Sequence, residues 1–140
     1  MNIDAIENGI VIDHITAGKA MKLYSLLKLD ELDAQVAIIK NASSRKMGRK
    51  DIIKIDAEIE VNLDAIGYVD PSATVSVIRN GKLDTKHNLD LPEKLVNVIK
   101  CRNPRCITST EQELDHVFRL TDTEHKVYRC IYCESKAKKL

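Results

Sequence analysis

Four cysteines stand at positions 101, 106, 130 and 133 in the pattern C-x4-C-x23-C-x2-C, and the other 136 of the 140 residues contain none. Two close pairs separated by a hairpin-sized insert suit a tetrahedral zinc site of four thiolates, Cys101, Cys106, Cys130 and Cys133. Each pair sits on a tight turn that aims two sulfurs at one point, with Asn103 and Pro104 shaping the first. Segments 116–121 and 125–130 are expected to form a hairpin between the pairs. Its apolar residues are few: Val117, Phe118, Leu120, Val127 and Tyr128. A module of about 40 residues does not bury enough surface to fold unaided, and a structural zinc ion supplies roughly 10–16 kcal/mol in comparable peptides. Four buried free thiols would explain the residue type but not the paired spacing. A redox C-x-x-C at 130–133 would leave the first pair without a role. A catalytic zinc needs an open coordination position, which four thiolates do not leave. His116 and His125 are expected to decorate the hairpin.

The rest of the composition narrows the function classes. The net charge is +1, too balanced for a protein that coats nucleic acid or an anionic membrane by bulk electrostatics. There is no Trp and one Phe, against the several exposed aromatics of a base-stacking platform. No apolar run approaches the roughly 20 residues of a membrane helix, and MNIDAIENG has no basic start or long apolar core, so a cytoplasmic protein is expected. Residues 1–97 carry a net charge of −2 and residues 98–140 a net +3. With the change in composition near 100, this divides the chain into two domains, 1–97 and 98–140.

The N-terminal part reads as α+β. GIVIDHI at 9–15, QVAIIK at 35–40, DIIKID at 51–56 and TVSVIR at 74–79 are strands by their β-branched runs. In the third, alternation puts Ile53 and Ile55 on one side and Lys54 on the other. Ala20, Leu23, Tyr24 and Leu27 fall on one face of a helix over 18–29. Asn62 is placed to cap a helix over 63–69, with Asp64 in its first turn and Asp70-Pro71 after it. Asn80-Gly81 signals a hairpin to a returning strand over 82–86. Residues 41–50 read as a polar loop, and a short helix is expected over 92–98. The order implies an antiparallel sheet with helices packed on one face, a ferredoxin-like arrangement, followed by a small β-rich zinc-ribbon-like domain.

Some polar residues look placed. Asp13 and His14 follow an apolar strand run, where Asp13 could accept from ribose hydroxyls and His14 could lie near a phosphate; a local hydrogen-bonding pair fits the spacing equally well. Lys54 and Lys86 stand where point charges could hold phosphates, though a lysine so placed, taken alone, is more often a solvated surface residue. No phosphate-cradling glycine motif, Ser-His-Asp set, carboxylate pair or activated thiol is present, so catalysis has no visible machinery.

Segments GIVIDHI at 9–15, MGRKDIIKI at 47–55, PSATVSVI at 71–78, LPEKLVNVIKCRNPRCI at 91–107 and CIYCE at 130–134, in order, resemble the regulatory chain of aspartate carbamoyltransferase. The resemblance implies a non-catalytic allosteric subunit in pyrimidine biosynthesis. It implies an N-terminal domain that binds CTP, ATP or UTP and pairs with a second regulatory chain, and a C-terminal zinc domain that docks on the catalytic chain. It implies no nucleic-acid partner and no membrane. Carried over by position, the base would meet Asp4, Ala5 and Ile6, with Ile52 and Ile78 nearby. Asp13 and Lys54 would hold the ribose region and Lys86 the phosphates, with His14 close to them. Lys50 would contribute to a second, metal-linked nucleotide. The chain departs from the family pattern at Ser76, where many relatives have Asn, and at Gly81, where they have Tyr; in the family both positions lie beside the base. The rival reading is a zinc-ribbon nucleic-acid-binding protein with an α+β partner domain.

Overall fold

The computed structural model describes residues 6–138. Asp4 and Ala5, two of the positions assigned to the base, lie outside the described residues. The chain divides after Asp90 into two compact units, seven residues before the expected boundary. The cause is local: the segment expected as a helix over 92–98 is instead strand β6, Lys94–Val96, which pairs with β7 of the second unit. Leu95 is fully buried there opposite Phe118, and that apolar contact outweighs the helix-start signal of Asp90 and Glu93.

The first unit runs β1 Gly9–Thr16, α1 Ala20–Leu26, β2 Gln35–Ser44, β3 Gly48–Asp56, α2 Leu63–Val69, β4 Thr74–Arg79 and β5 Lys82–Asn88. The sheet order is β2-β3-β1-β4-β5, antiparallel throughout. Its first four strands have the β-α-β-β-α-β order and pairing of a ferredoxin-like fold, and β5 extends the edge. Ile10, Ile12 and Ile15 of β1, Ile53 and Ile55 of β3 and Val75 of β4 form one core with Ala20 and Leu23 of α1 and Ile66 and Val69 of α2. Both helices therefore cover one face of the sheet.

Local chemistry accounts for most element ends. The Asn62 side chain accepts from the Ala65 N–H at 3.2 Å, as the capping role requires. Asn80 and Gly81 both have positive φ, 54° and 75°, the geometry of a two-residue hairpin turn. Gly9 has a different cause: a Cβ there would lie 2.2 Å from the Ile55 carbonyl oxygen, so only glycine lets β1 approach β3 this closely. The helix expected over 18–29 is shorter, because Lys28 takes a left-handed φ of 54° and a 3₁₀ turn at Leu29–Glu31 follows.

The polar stretch 41–50 is not a loop. β2 and β3 continue through it, pairing Ala42 with Lys50, Ser43 with Arg49 and Ser44 with Gly48. A bulge at Asn41, φ 60°, lets the ladder bend and go on. Asp51 explains why. Its buried carboxylate accepts from Asn41 N–H at 2.8 Å, Gly18 N–H at 2.9 Å and Ala20 N–H at 3.2 Å. One charge thus ties the bulge to the entry of α1 with its hydrogen-bonding capacity used, which is what burial demands.

The second unit holds β6, β7 Val117–Asp122 and β8 Val127–Cys130 in that order, plus a single-turn helix α3 Ile107–Thr110 after the first cysteine pair. β7 and β8 are the hairpin expected between the cysteine pairs. Leu95, Val117, Phe118 and Tyr128 are buried, as are Cys106 and Cys130, and the Tyr128 hydroxyl donates to the Pro92 carbonyl. Among the described residues no helix is long and apolar enough to cross a membrane.

Candidate functional site: a thiol cluster and an open sheet face

The two turns bring all four cysteine sulfurs within 4.8 Å of one another. Cys101 Sγ lies 3.5 Å from Cys133 Sγ, and Cys106 Sγ lies 3.7 Å from Cys130 Sγ. A tetrahedral ion with metal–sulfur bonds of about 2.3 Å would set its ligands about 3.8 Å apart, so the donor set and its spacing fit one four-coordinate ion. The surrounding groups aim the sulfurs. In the first turn the Asn103 side chain accepts from Arg105 N–H at 3.0 Å, and Cys106 N–H donates to the Asn103 carbonyl at 3.0 Å. In the second, Glu134 at φ 63° closes the knuckle, and its N–H donates to the Cys130 carbonyl at 2.9 Å.

Electrostatics favour a cation at the centre. Burial pushes the Cys101 thiol up to about 12, and burial also raises Cys130. Hydrogen bonding from Ser135 instead draws Cys133 down to about 6. Sulfurs this close do not all ionise together unless a positive charge offsets their repulsion.

Two supporting residues had no expected role. Thr108 Oγ1 donates to Cys106 Sγ at 3.1 Å, and His116 Nδ1 accepts from Cys101 N–H at 3.2 Å. His116 therefore orients a ligand-bearing turn, whereas His125 makes only an exposed pair with Asp122 at 2.9 Å. Nothing in the spacing distinguishes the two histidines; the hairpin register does.

In the first unit the face of the sheet away from the helices gathers most of the remaining candidates. The register sets Lys54 opposite Val11, Val11 opposite Ser76, and Ser76 opposite Lys86. This row crosses β3, β1, β4 and β5 over about 14 Å at ordinary strand spacing. Alternation places Lys50, Ile52 and Ile78 on the same face, and its ion pair with Lys50 brings Asp13 there. Ile52, Lys54, Ser76 and Ile78 are half-buried and Lys86 is exposed. Ile6 precedes β1, beside Gly9. A cavity of about 150 Å³ at the ends of β1 and β4 is lined by Gly9, Ile78, Glu58 and Glu60 among others, and among the described candidates only Ile78 reaches it.

Asp13 and His14 do not alternate as in a regular strand. The β1–β3 register slips between Ile12 and Ile15, and His14 has a φ of 56°. The bulge leaves both half-buried: Asp13 Oδ1 is 2.9 Å from Lys50 Nζ, and His14 Nδ1 is 3.0 Å from Thr74 Oγ1. Burial pushes the Asp13 carboxyl up, but the Lys50 ammonium and the His14 N–H outweigh it and hold it below the ordinary carboxylate value.

Comparison with known families decides what these two units are. The allosteric-domain model of the aspartate carbamoyltransferase regulatory chain matches residues 1–90, and the metal-binding-domain model of that chain matches residues 93–139. The chain belongs to the aspartate carbamoyltransferase regulatory-chain family. It is 48% identical over 134 residues to the regulatory chain of Clostridium botulinum (strain Hall), covering 96% of this chain and 92% of that one. It is 44% identical over 138 residues to that of Bifidobacterium longum, covering 99% of each. It is 45% identical over 135 residues to that of Clostridium tetani, covering 96% of this chain and 94% of that one. The thiol cluster lies wholly within the regulatory chain's metal-binding domain, and the open sheet face within its allosteric domain. The two matches abut where the structure divides.

Proposed function

We propose that this protein is the non-catalytic subunit through which nucleoside triphosphates adjust aspartate carbamoyltransferase in pyrimidine biosynthesis. Its N-terminal domain binds CTP, ATP or UTP and pairs with a second regulatory chain. Its C-terminal domain, built around one structural zinc ion on Cys101, Cys106, Cys130 and Cys133, docks on the catalytic chain. The observation that carries the reading is the open sheet face. Lys54 and Lys86 stand at the two ends of one cross-strand row, and an ionised Asp13 stands beside it. A carboxylate that accepts from sugar hydroxyls, with Lys54 beside it, and a lysine, Lys86, that meets the phosphates as a point charge are two recognition elements a nucleotide requires. Ser76 lies between them in the same row, where it would meet the base.

Regulation follows by linkage. An effector shifts the enzyme only by its difference in affinity for the low- and high-affinity quaternary states, typically about 1–3 kcal/mol of coupling. The zinc-bound domain makes that difference mechanical by fixing the regulatory chain to the catalytic trimer. Calorimetric titration of the metal-loaded chain with CTP, ATP and UTP tests the site. At least one should bind, and Lys86→Ala should weaken it about tenfold or more, since a charge-assisted contact is worth about 1.5–3 kcal/mol. Binding unchanged in both Lys54→Ala and Lys86→Ala would overturn the assignment of this face.

A further inference from the structure

The sequence holds two Asn-Gly steps, Asn8-Gly9 and Asn80-Gly81, and the fold brings them together. The β4–β5 ladder ends at the Arg79–Lys82 pair, so the N–H groups of Asn80 and Gly81 have no partner within it. Both are taken by the segment before β1. Asn80 N–H donates to Asn8 Oδ1 at 3.1 Å, and Gly81 N–H donates to the Glu7 carbonyl at 2.8 Å. Residues 7–8 thus clasp the tip of the hairpin.

Asparagine is chemically labile, and most so before glycine, where no Cβ obstructs attack by the next backbone nitrogen. That nitrogen bonds to the side-chain carbonyl carbon, and its proton departs with the side-chain amide as ammonia. Water then opens the cyclic succinimide at one carbonyl or the other and leaves aspartate or isoaspartate. No oxidant, reductant or cofactor is needed.

The two steps differ in their freedom to react. Gly9 is buried in β1 opposite Ile78, and a Cβ there would lie 2.2 Å from the Ile55 carbonyl oxygen and 2.8 Å from Ile6 Cγ2. Its nitrogen has no room to swing toward the Asn8 side chain, whose oxygen already accepts from Asn80 N–H. Asn80 and Gly81 are both exposed. Nothing lies within 4 Å of where a Cβ of Gly81 would stand. Among the described residues the Asn80 carboxamide makes no hydrogen bond. What restrains this step is the clasp, because the Gly81 nitrogen must leave the Glu7 carbonyl before it attacks.

We propose that Asn80 is a site of spontaneous deamidation through the Gly81 nitrogen, and that the clasp by Glu7 and Asn8 sets its rate. The reaction proceeds from a locally opened turn, so its rate follows the fraction of time that residues 7–8 are released. Aspartate at position 80 keeps the turn, because it tolerates the positive φ of 54° found there. Isoaspartate adds a methylene to the main chain, destroys the two-residue turn and frees residues 7–8.

The test ages the full metal-loaded chain at mildly alkaline pH and maps the products by peptide mass spectrometry, with isoaspartate counted by enzymatic methylation. Chain unfolded in guanidinium chloride should react at both Asn8 and Asn80, and folded chain at Asn80 alone. Asn8→Ala removes one of the two clasping bonds. It should speed the reaction at Asn80 about two- to tenfold, the worth of one hydrogen bond, and stay below the rate of the unfolded chain. A glutamate-specific protease should cut after Glu7 faster in isoaspartate-bearing chain than in fresh chain. Reaction of the folded chain at Asn8, or at neither asparagine, overturns the site. An unchanged rate in Asn8→Ala, or equal cutting after Glu7 in fresh and isoaspartate-bearing chain, overturns the role of the clasp.

Discussion

Lys50 Nζ lies 2.9 Å from Asp13 Oδ1, across the bulge that interrupts the β1–β3 register between Ile12 and Ile15. Both side chains are partly buried, 17% and 28% exposed. The pair therefore falls between an exposed ion pair, worth about 0–1 kcal/mol, and a buried one, whose disruption costs about 3–5 kcal/mol. Lys50→Met should lower stability by about 1–3 kcal/mol, read from urea unfolding of the N-terminal domain. Asp13→Asn/Lys50→Met should lose less than the two single changes together, because neither charge is left alone. Additive losses would show that the contact carries no energy of its own.

The pH dependence follows from two aspartates. The Asp13 carboxyl is held below its ordinary value as described. Burial likewise pushes Asp70 up, but hydrogen bonds from Ser72 and from Thr16 N–H, the latter 2.6 Å, outweigh it and hold it low. A carboxylate with a depressed folded value gives stability that is complete above its unfolded pKa, about 3.9, and is lost as pH falls through the folded value. The urea midpoint should stay level from neutral pH down to about pH 5 and fall below about pH 4. In Asp70→Asn the acid decline should be shallower and the midpoint at neutral pH lower. An unchanged acid slope in that variant would show that Asp70 is not one of the groups responsible.

Removal of the metal should unfold the C-terminal domain and spare the N-terminal one. The metal-binding domain has a small core, Leu95, Val117, Phe118 and Tyr128 around two cysteines, and an ion on four thiolates supplies roughly 10–16 kcal/mol in comparable domains. After treatment with a strong chelator, trypsin should cut within residues 98–138 and leave residues 9–88 protected. Cys130→Ser should give the same pattern without chelator. Protection of both domains in the metal-free chain would contradict the structural role of the ion.

His116 should tune metal affinity without being a ligand. It receives the Cys101 N–H at 3.2 Å, and partners that orient metal ligands typically contribute about 10–100-fold to affinity. His116→Ala should weaken metal binding by that order in a competition titration against a chromogenic chelator, while thiol titration still counts four sulfurs released with the metal. His125→Ala should change nothing. Equal affinities for both variants would show that the hydrogen bond to Cys101 has no bearing on the site.

These residues also show how far the sequence is legible and where it stops. The four thiols were readable because ligand chemistry fixes both residue type and spacing. The Asn62 cap and the Asn80-Gly81 turn were readable because each rests on a side chain or a φ angle that few residues supply. Segment 41–50 reads as a loop because it is polar and segment 92–98 as a helix because of the Asp90 and Glu93 start signal, and what makes each a strand lies outside it: the Asp51 carboxylate for the first, Phe118 for the second. The bulge at Asp13 and His14 depends on register, which no local window contains. The row Lys54, Val11, Ser76 and Lys86 combines both cases. Each lysine was identified singly, but their alignment on one face came only from the pairing of four strands.

In the proposed assembly a nucleotide on the N-terminal domain is felt by catalytic trimers held through the C-terminal one. The most direct test is aspartate saturation of the complex reassembled from the metal-loaded chain and its catalytic trimers, with and without CTP and ATP. At least one nucleotide should displace the half-saturating aspartate concentration, and Lys86→Ala should abolish the displacement while leaving the nucleotide-free curve in place. A complex that forms fully yet gives superimposable curves with every nucleotide would contradict that coupling.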